Sequence, residues 1–595
     1  MATRNRPLAH VAVNLLSGAA RLVRSPAGLA TALAIVIGAV GCSQAIGTID
    51  DGSDQSSGDA APTGDKPPPS GDDGGTTPPT DDGGTTPPVG DDSGTTPPSD
   101  DGGGTTPPAT DSGTTPPPTD TGTTPPPVDS GTPTDPTTGL ALVQDLSIQE
   151  IAIFQGVKVS LEKSGSKTTS RRAPVIPGRP GLLRVYVAPS GGYSPREVTA
   201  VLTLTTSGSP SVITTKATIS SASSDGSLSS TFNFDLPGSA IGDGTTYSVA
   251  LKSSTAGSGS PAQYPSSGQE SLDTLSTGDV LKIKLVPVRY NADGSGRLPD
   301  TSASQIAAYT AMMMKIYPAK KVDITVRAPY DYSNSISASG SGWSQILQSI
   351  VDLRNSDGAA ADVYYFGAFA PASSFGSFCG GGCVTGLSGV LTSSTDTFGR
   401  ASVGIGFTGS MSTETMAHEI GHAHGRQHAD CGGASGVDPA FPYSGAGIGV
   451  YGYDILGKTL MSTGTYTDLM GYCNPVWISD YTFGALANRL HAVNSHAMIY
   501  RPSAAPTRWQ FVSVGGDGKL SWGKQLTLTD PPIAEPHTLT YVSPDGSVVE
   551  TATGQYYPFN DLPGGYMLVP LPSVDFSTMH VGGFAGVSKL AKAAL

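Results

Sequence analysis

At 595 residues the chain is too long for one hydrophobic core, so several domains are expected. Its net charge of −15 belongs to one segment: residues 43–137 hold 17 Asp, one Lys and no Glu, which leaves only −3 on residues 138–595. A body so close to neutral lacks the basic footprint of a nucleic-acid binder, and that class is excluded.

The chain begins with Arg4, Arg6, Arg21 and Arg24 ahead of an apolar run, LATALAIVIGAVG (29–41), that ends at Cys42. The run is too short for a permanent membrane span and suits the core of a signal peptide, residues 1–42. AVGC resembles a bacterial lipobox. The resemblance implies a Cys42 that is lipidated and holds the protein to a membrane, and Ser43 after it implies the outer membrane or cell surface. A plain signal peptide cut nearby is the alternative, with release as a secreted protein. Residues 43–137 then repeat the theme DDGGTTPPT. With almost nothing to bury, this segment is predicted to be a disordered tether, reaching about 50 Å as a coil and up to about 300 Å if fully extended.

Residues 138–275 carry short alternating runs such as EVTAVLTLTT and TYSVALKSS between Gly, Ser and Pro, the pattern of a β-sandwich-like domain. Residues 276–500 change character. LKIKLVPVRY reads as a strand, Ile306, Tyr309, Met313 and Ile316 recur at helical spacing, and KVDITVRAPY returns to strand. Ile346, Ile350 and Leu353 mark a second helix before the strand DVYYFGAF. GLSGVL and ASVGIGF are two further candidate strands, and Phe483, Leu486, Leu490 and Val493 mark a late helix. The alternation indicates an α/β layer. Asp-Gly pairs at 517–518 and 545–546 signal hairpins in a small C-terminal β domain, 501–595, read as a sandwich.

Apart from Cys42 the cysteines are Cys379, Cys383, Cys431 and Cys473, an even set in an exported chain. Three pairings are open; Cys379–Cys383 and Cys431–Cys473 are favoured. No free thiol is left to mask an active site, so any latency mechanism is not visible in the sequence.

Four of the nine histidines fall in HEIGHAHGRQH (418–428). In a helix capped by Ser412 or Thr413 and stopped at Gly425, His418 and His422 project from one face a turn apart, where two imidazoles can share a metal ion. Glu419 lies beside them. Gly425 can take a positive φ and turn the chain so that His428 returns as a third ligand. Three ligands leave a fourth position for water, the mark of a catalytic zinc site. His424 breaks the spacing and is expected nearby or exposed, and Tyr451 and Tyr453 are expected to pack or to line the cleft.

These residues resemble the metzincin zinc proteases, whose motif HExxHxxGxxH is matched at His418, Glu419, His422, Gly425 and His428. TDLMGY adds Met470 as a candidate Met-turn. The resemblance, over roughly 280–500, implies a mixed five-stranded sheet with an active-site helix and one catalytic Zn2+. It also implies Glu419 as general base, Tyr472 as an oxyanion donor, and a protein or glycoprotein substrate paired with an edge strand, GLSGVL or ASVGIGF. The chain departs from some metzincins in carrying Ala429 after the third His. Ca2+ is compatible with the Gly/Asp-rich loops, but no EF-hand spacing supports it. The function expected is a membrane-tethered zinc endopeptidase acting outside the cell. The alternative is an inactive metzincin-like surface protein that binds glycans or proteins. Nothing in the sequence indicates an oligomeric state.

Overall fold

The computed structural model describes residues 137–499, 505–584 and 588–592. The expected signal peptide, Cys42 and all but the last residue of the expected tether lie outside them. The regular structure of the described residues is mostly β-strand, in several sheets, with five α-helices. No helix among them is long and apolar enough to cross a membrane.

Two antiparallel sheets occupy residues 141–271. One is built on Leu146–Phe154, Lys158–Lys163, Gly181–Pro189 and Phe232–Leu236, the other on Arg196–Thr206, Ser209–Ile219 and Thr246–Ser253. Side chains alternate along a strand, so Val198, Ala200, Leu202 and Leu204 point inward with Tyr247, Val249 and Leu251 against Ile151 and Val185 of the facing sheet. The same core continues without a break into the next layer, through Leu281, Tyr309 and Met416.

That layer is a mixed sheet in the order Val322–Val326, Leu281–Tyr290, Val363–Phe369, Ala401–Ile405, Gly386–Ser388. The first four strands are parallel and Gly386–Ser388 is an antiparallel edge. Five strands were expected, and there is a sixth. The interior strand Leu281–Tyr290 is twice as long as its neighbour Val322–Val326, and the short strand Tyr330–Tyr332 pairs with its free end. Of the two candidate edge strands, GLSGVL takes the edge and ASVGIGF is interior.

Helices α1 (Ala303–Ile316) and α4 (Ser410–Ala423) cover one face of the sheet, and α2 (Trp343–Ser356) covers the other. Both faces are thus buried: Leu285 packs with α1 and Val286 with α2. A single turn, α3 (Phe375–Cys379), precedes the edge strand, and α5 (Asp480–Ile499) buries Phe483, Leu486, Leu490 and Val493 as their spacing predicts. Both favoured disulfides are present, Cys379–Cys383 and Cys431–Cys473.

The C-terminal region is one seven-stranded antiparallel sheet, not the expected two-sheet sandwich. Its faces are both apolar. Val512, Val514, Met567 and Val569 enclose a small core of their own, while the alternate residues Phe511, Tyr566 and Leu568 join the core around α2. Trp522 Nε1 in the second strand donates to Ala591 O in the last, 2.7 Å away, drawing the two edges of the sheet together. One curled sheet therefore does the work that needed two in the sequence reading. The Asp517-Gly518 and Asp545-Gly546 hairpins form where expected, each Gly at positive φ.

Candidate metal centre

Helix α4 starts earlier than its sequence suggests. Gly409, at φ 120°, holds the N-cap position, because the Ser412 hydroxyl donates to Phe407 O (2.6 Å) and that of Thr413 to Ser410 O (2.8 Å) within the first turn. Its end is as expected. Gly425 sits at φ 82°, its N–H bonds His422 O (2.7 Å) and Arg426 N–H bonds Gly421 O (3.0 Å), the paired closure of a Schellman turn. No side chain fits at Gly425, since a Cβ there would lie 2.5 Å from Leu391 O. The reversal delivers His428 to the face that carries His418 and His422.

The three rings converge. Their Nε2 atoms stand 3.1 Å (His418–His422), 3.2 Å (His418–His428) and 3.2 Å (His422–His428) apart. Each Nδ1 lies against a backbone carbonyl: Leu469 O at 2.8 Å for His418, Arg426 O at 2.6 Å for His422 and Ser435 O at 2.5 Å for His428. A neutral imidazole has one N–H, and the carbonyl takes it, so every Nε2 is left with a lone pair aimed at the same point. Three lone pairs at this distance repel one another unless a cation lies between them. A tetrahedral ion with N bonds of roughly 2.0–2.1 Å spaces its ligands by about 3.3 Å, which this triangle fits. Burial pushes His422 well below its ordinary value, keeping it neutral as a ligand must be.

A fourth group completes the cluster, one that the sequence reading missed. Asp561, in the turn between strands Val548–Pro558 and Gly564–Pro570, places its carboxylate 3.2 Å from His428 Nε2, 3.5 Å from His422 Nε2 and 3.7 Å from His418 Nε2. His418, His422, His428 and Asp561 together could hold a metal ion. The position expected to be left for water is thus taken by a carboxylate from the C-terminal sheet.

Glu419 is buried beside the cluster, and its Oε2 has no hydrogen-bond partner among the described residues. Burial, reinforced by Asp561, pushes its carboxyl well above the ordinary range. Room for it exists because residue 386 on the edge strand is Gly: a Cβ there would lie 2.2 Å from Glu419 Oε1. The Tyr472 ring stands 4.7 Å from that of His428, and its hydroxyl donates to Asp561 Oδ1 at 2.7 Å. Met470 packs under the helix, its Sδ 2.7 Å from where a Cβ on Gly421 would be. Asp468 fixes this turn by accepting from Met470 N (2.9 Å) and Ser479 N (2.8 Å), and the Cys431–Cys473 bridge ties it to the segment after His428.

The other singled-out residues fall elsewhere. His424 is not exposed and is not part of the metal cluster; its ring stacks on Tyr364 at 4.1 Å in the core, where burial lowers it to about 3. Tyr453 packs edge-on against Phe154, and neither it nor Tyr451 lines the cleft.

His418, Glu419 and Tyr472 open on a cleft of about 630 Å³, bounded by the edge strand at Thr385 and Gly386, by Met411, Glu414 and Thr415 of α4, and by Leu469 and Val476. Asp561, Leu562 and Pro563 complete its lining. No known family model and no curated protein matches the chain.

Proposed function

We propose that the protein is an exported zinc endopeptidase of metzincin type, tethered outside the cell through Cys42 and acting on proteins or glycoproteins. The reading is carried by one observation: three bare imidazole nitrogens converge beside an unpartnered buried carboxylate at the wall of a cleft. His418, His422 and His428 would hold the ion. Zinc bound there supplies Lewis acidity, which acidifies water and polarises a carbonyl. Glu419 takes the proton of the attacking water as its oxygen joins the carbonyl carbon, then passes it to the amide nitrogen as the C–N bond breaks. The products are a carboxylic acid and an amine. Tyr472, once free of Asp561, donates its hydroxyl to the oxyanion.

The carboxylate in the fourth position favours a second reading, a surface protein that binds without turnover. Casein cleavage by zinc-loaded Asp561→Ala, beside Asp561→Ala/Glu419→Gln, separates the two. The endopeptidase reading expects cleavage by the first, abolished by a chelator and reduced about 100- to 10,000-fold in the second. Equal rates in both would remove Glu419 from the mechanism, and no cleavage by either would favour the binding protein.

A further inference from the structure

We infer that the turn Phe559–Pro563 is an intramolecular inhibitor, a plug that the C-terminal sheet inserts into the active-site cleft. The inference deepens the endopeptidase reading and rests on it.

The turn takes both places that a substrate complex needs. Asp561 fills the fourth vertex of the histidine cluster, and its side chain is only 9 % exposed. Tyr472, the candidate oxyanion donor, is engaged by the same carboxylate. Phe559 forms an antiparallel bridge with Gly389, one residue beyond the edge strand Gly386–Ser388, and Val390 N–H reaches Pro558 O at 3.4 Å. The plug therefore starts from a contact just past the end of the edge that an extended polypeptide would join. Leu562 and Pro563 line the cleft beyond the metal cluster.

The plug is held by contacts shaped for it. The Ser435 hydroxyl donates to Asn560 O at 2.5 Å, and Asn560 Nδ2 donates to Gly436 O at 3.2 Å. Ser435 also supplies the carbonyl that orients His428, so the segment that sets the third ligand clasps the plug as well. Gly340 makes room for Leu562, whose Cδ2 would lie 2.6 Å from a Cβ at that position. A sheet docked only for stability has no need of an acidic residue at the one point where three imidazoles converge.

Opening need not dismantle the sheet. The flanking strands end at Pro558 and resume at Gly564, and Phe559 N–H bonds Gly564 O (3.0 Å), so five residues project from a closed hairpin. Withdrawal or cleavage of that turn frees the metal cluster and Tyr472 together.

The test uses the zinc-loaded full chain, wild type beside Asp561→Ala and Asp561→Asn, with zinc content and melting temperature measured for each. Acetohydroxamate, a small metal chelator, probes the fourth vertex by calorimetry without any turnover. The plug predicts at least about tenfold tighter acetohydroxamate binding to Asp561→Ala than to wild type, with a parallel gain in casein cleavage. Should Asp561→Ala fail to fold, the near-isosteric Asp561→Asn carries the comparison. Equal acetohydroxamate affinity in wild type and the folded variants overturns the plug. Tighter binding with no casein cleavage leaves the plug standing and overturns the endopeptidase reading instead.

Discussion

Glu414 stands one helical turn before His418 on the same face of α4 and lines the cleft. Burial pushes its carboxyl up, and no ion pair to it exists among the described residues. The cleft-lining residues include Glu414, Glu419 and Asp561 but no Lys or Arg. An uncompensated acid in a partly dry wall is best satisfied by a cation from the ligand. Once the plug is removed, peptides with Lys or Arg near the scissile bond should be cleaved several-fold faster than the same peptides with Glu. Glu414→Gln should reduce that preference, as measured by kcat/KM over a peptide series in the Asp561→Ala background. An unchanged preference would place the carboxylate outside substrate contact.

At the scale of elements, the turn around Met470 and the segment after His428 form one clasp under α4. Ala429 N–H bonds Met470 O (2.9 Å), Tyr472 N–H bonds Cys431 O (3.1 Å), and the Cys431–Cys473 disulfide closes a loop of 42 residues. By chain entropy such a bridge is worth about 4 kcal/mol. Replacing both cysteines by Ser should lower stability by that order and weaken zinc binding, because His428 and the carbonyl that orients His418 sit at the two ends of the clasp. Denaturant unfolding and zinc titration check it; an unchanged zinc affinity would show that the histidines are placed by α4 and Gly425 alone. These elements were the legible part of the chain. His418, Glu419, His422, Gly425 and His428 lie within one helix and one turn, so their geometry follows from local periodicity and one positive φ. The start of α4 was not legible, because the Ser412 hydroxyl goes to Phe407 O of the preceding loop and that of Thr413 to Ser410 O of the first turn instead of capping.

At the scale of the molecule, what the sequence hid is the docking of its regions. The sandwich and α/β layer share one core, and fully buried Arg179 joins them by donating to Gln155 O (2.8 Å), Ala319 O (2.9 Å) and Met314 O (2.6 Å). The C-terminal sheet shares another core with α2, which explains why both of its faces are apolar and why alternation alone could not tell one curled sheet from two. Asp561 belongs to this class. It lies in an ordinary-looking turn, and only the docked sheet brings it to histidines from a distant part of the chain. The site is therefore closed by long-range packing around a locally encoded set of ligands. The most direct test of the account is the zinc content of the purified full-length protein, wild type beside His422→Ala, by elemental analysis after zinc-replete expression. One zinc per chain is expected in the wild type and little or none in the variant. A wild type that binds no zinc, or a variant that keeps it in full, would contradict the metal centre and the chemistry built on it.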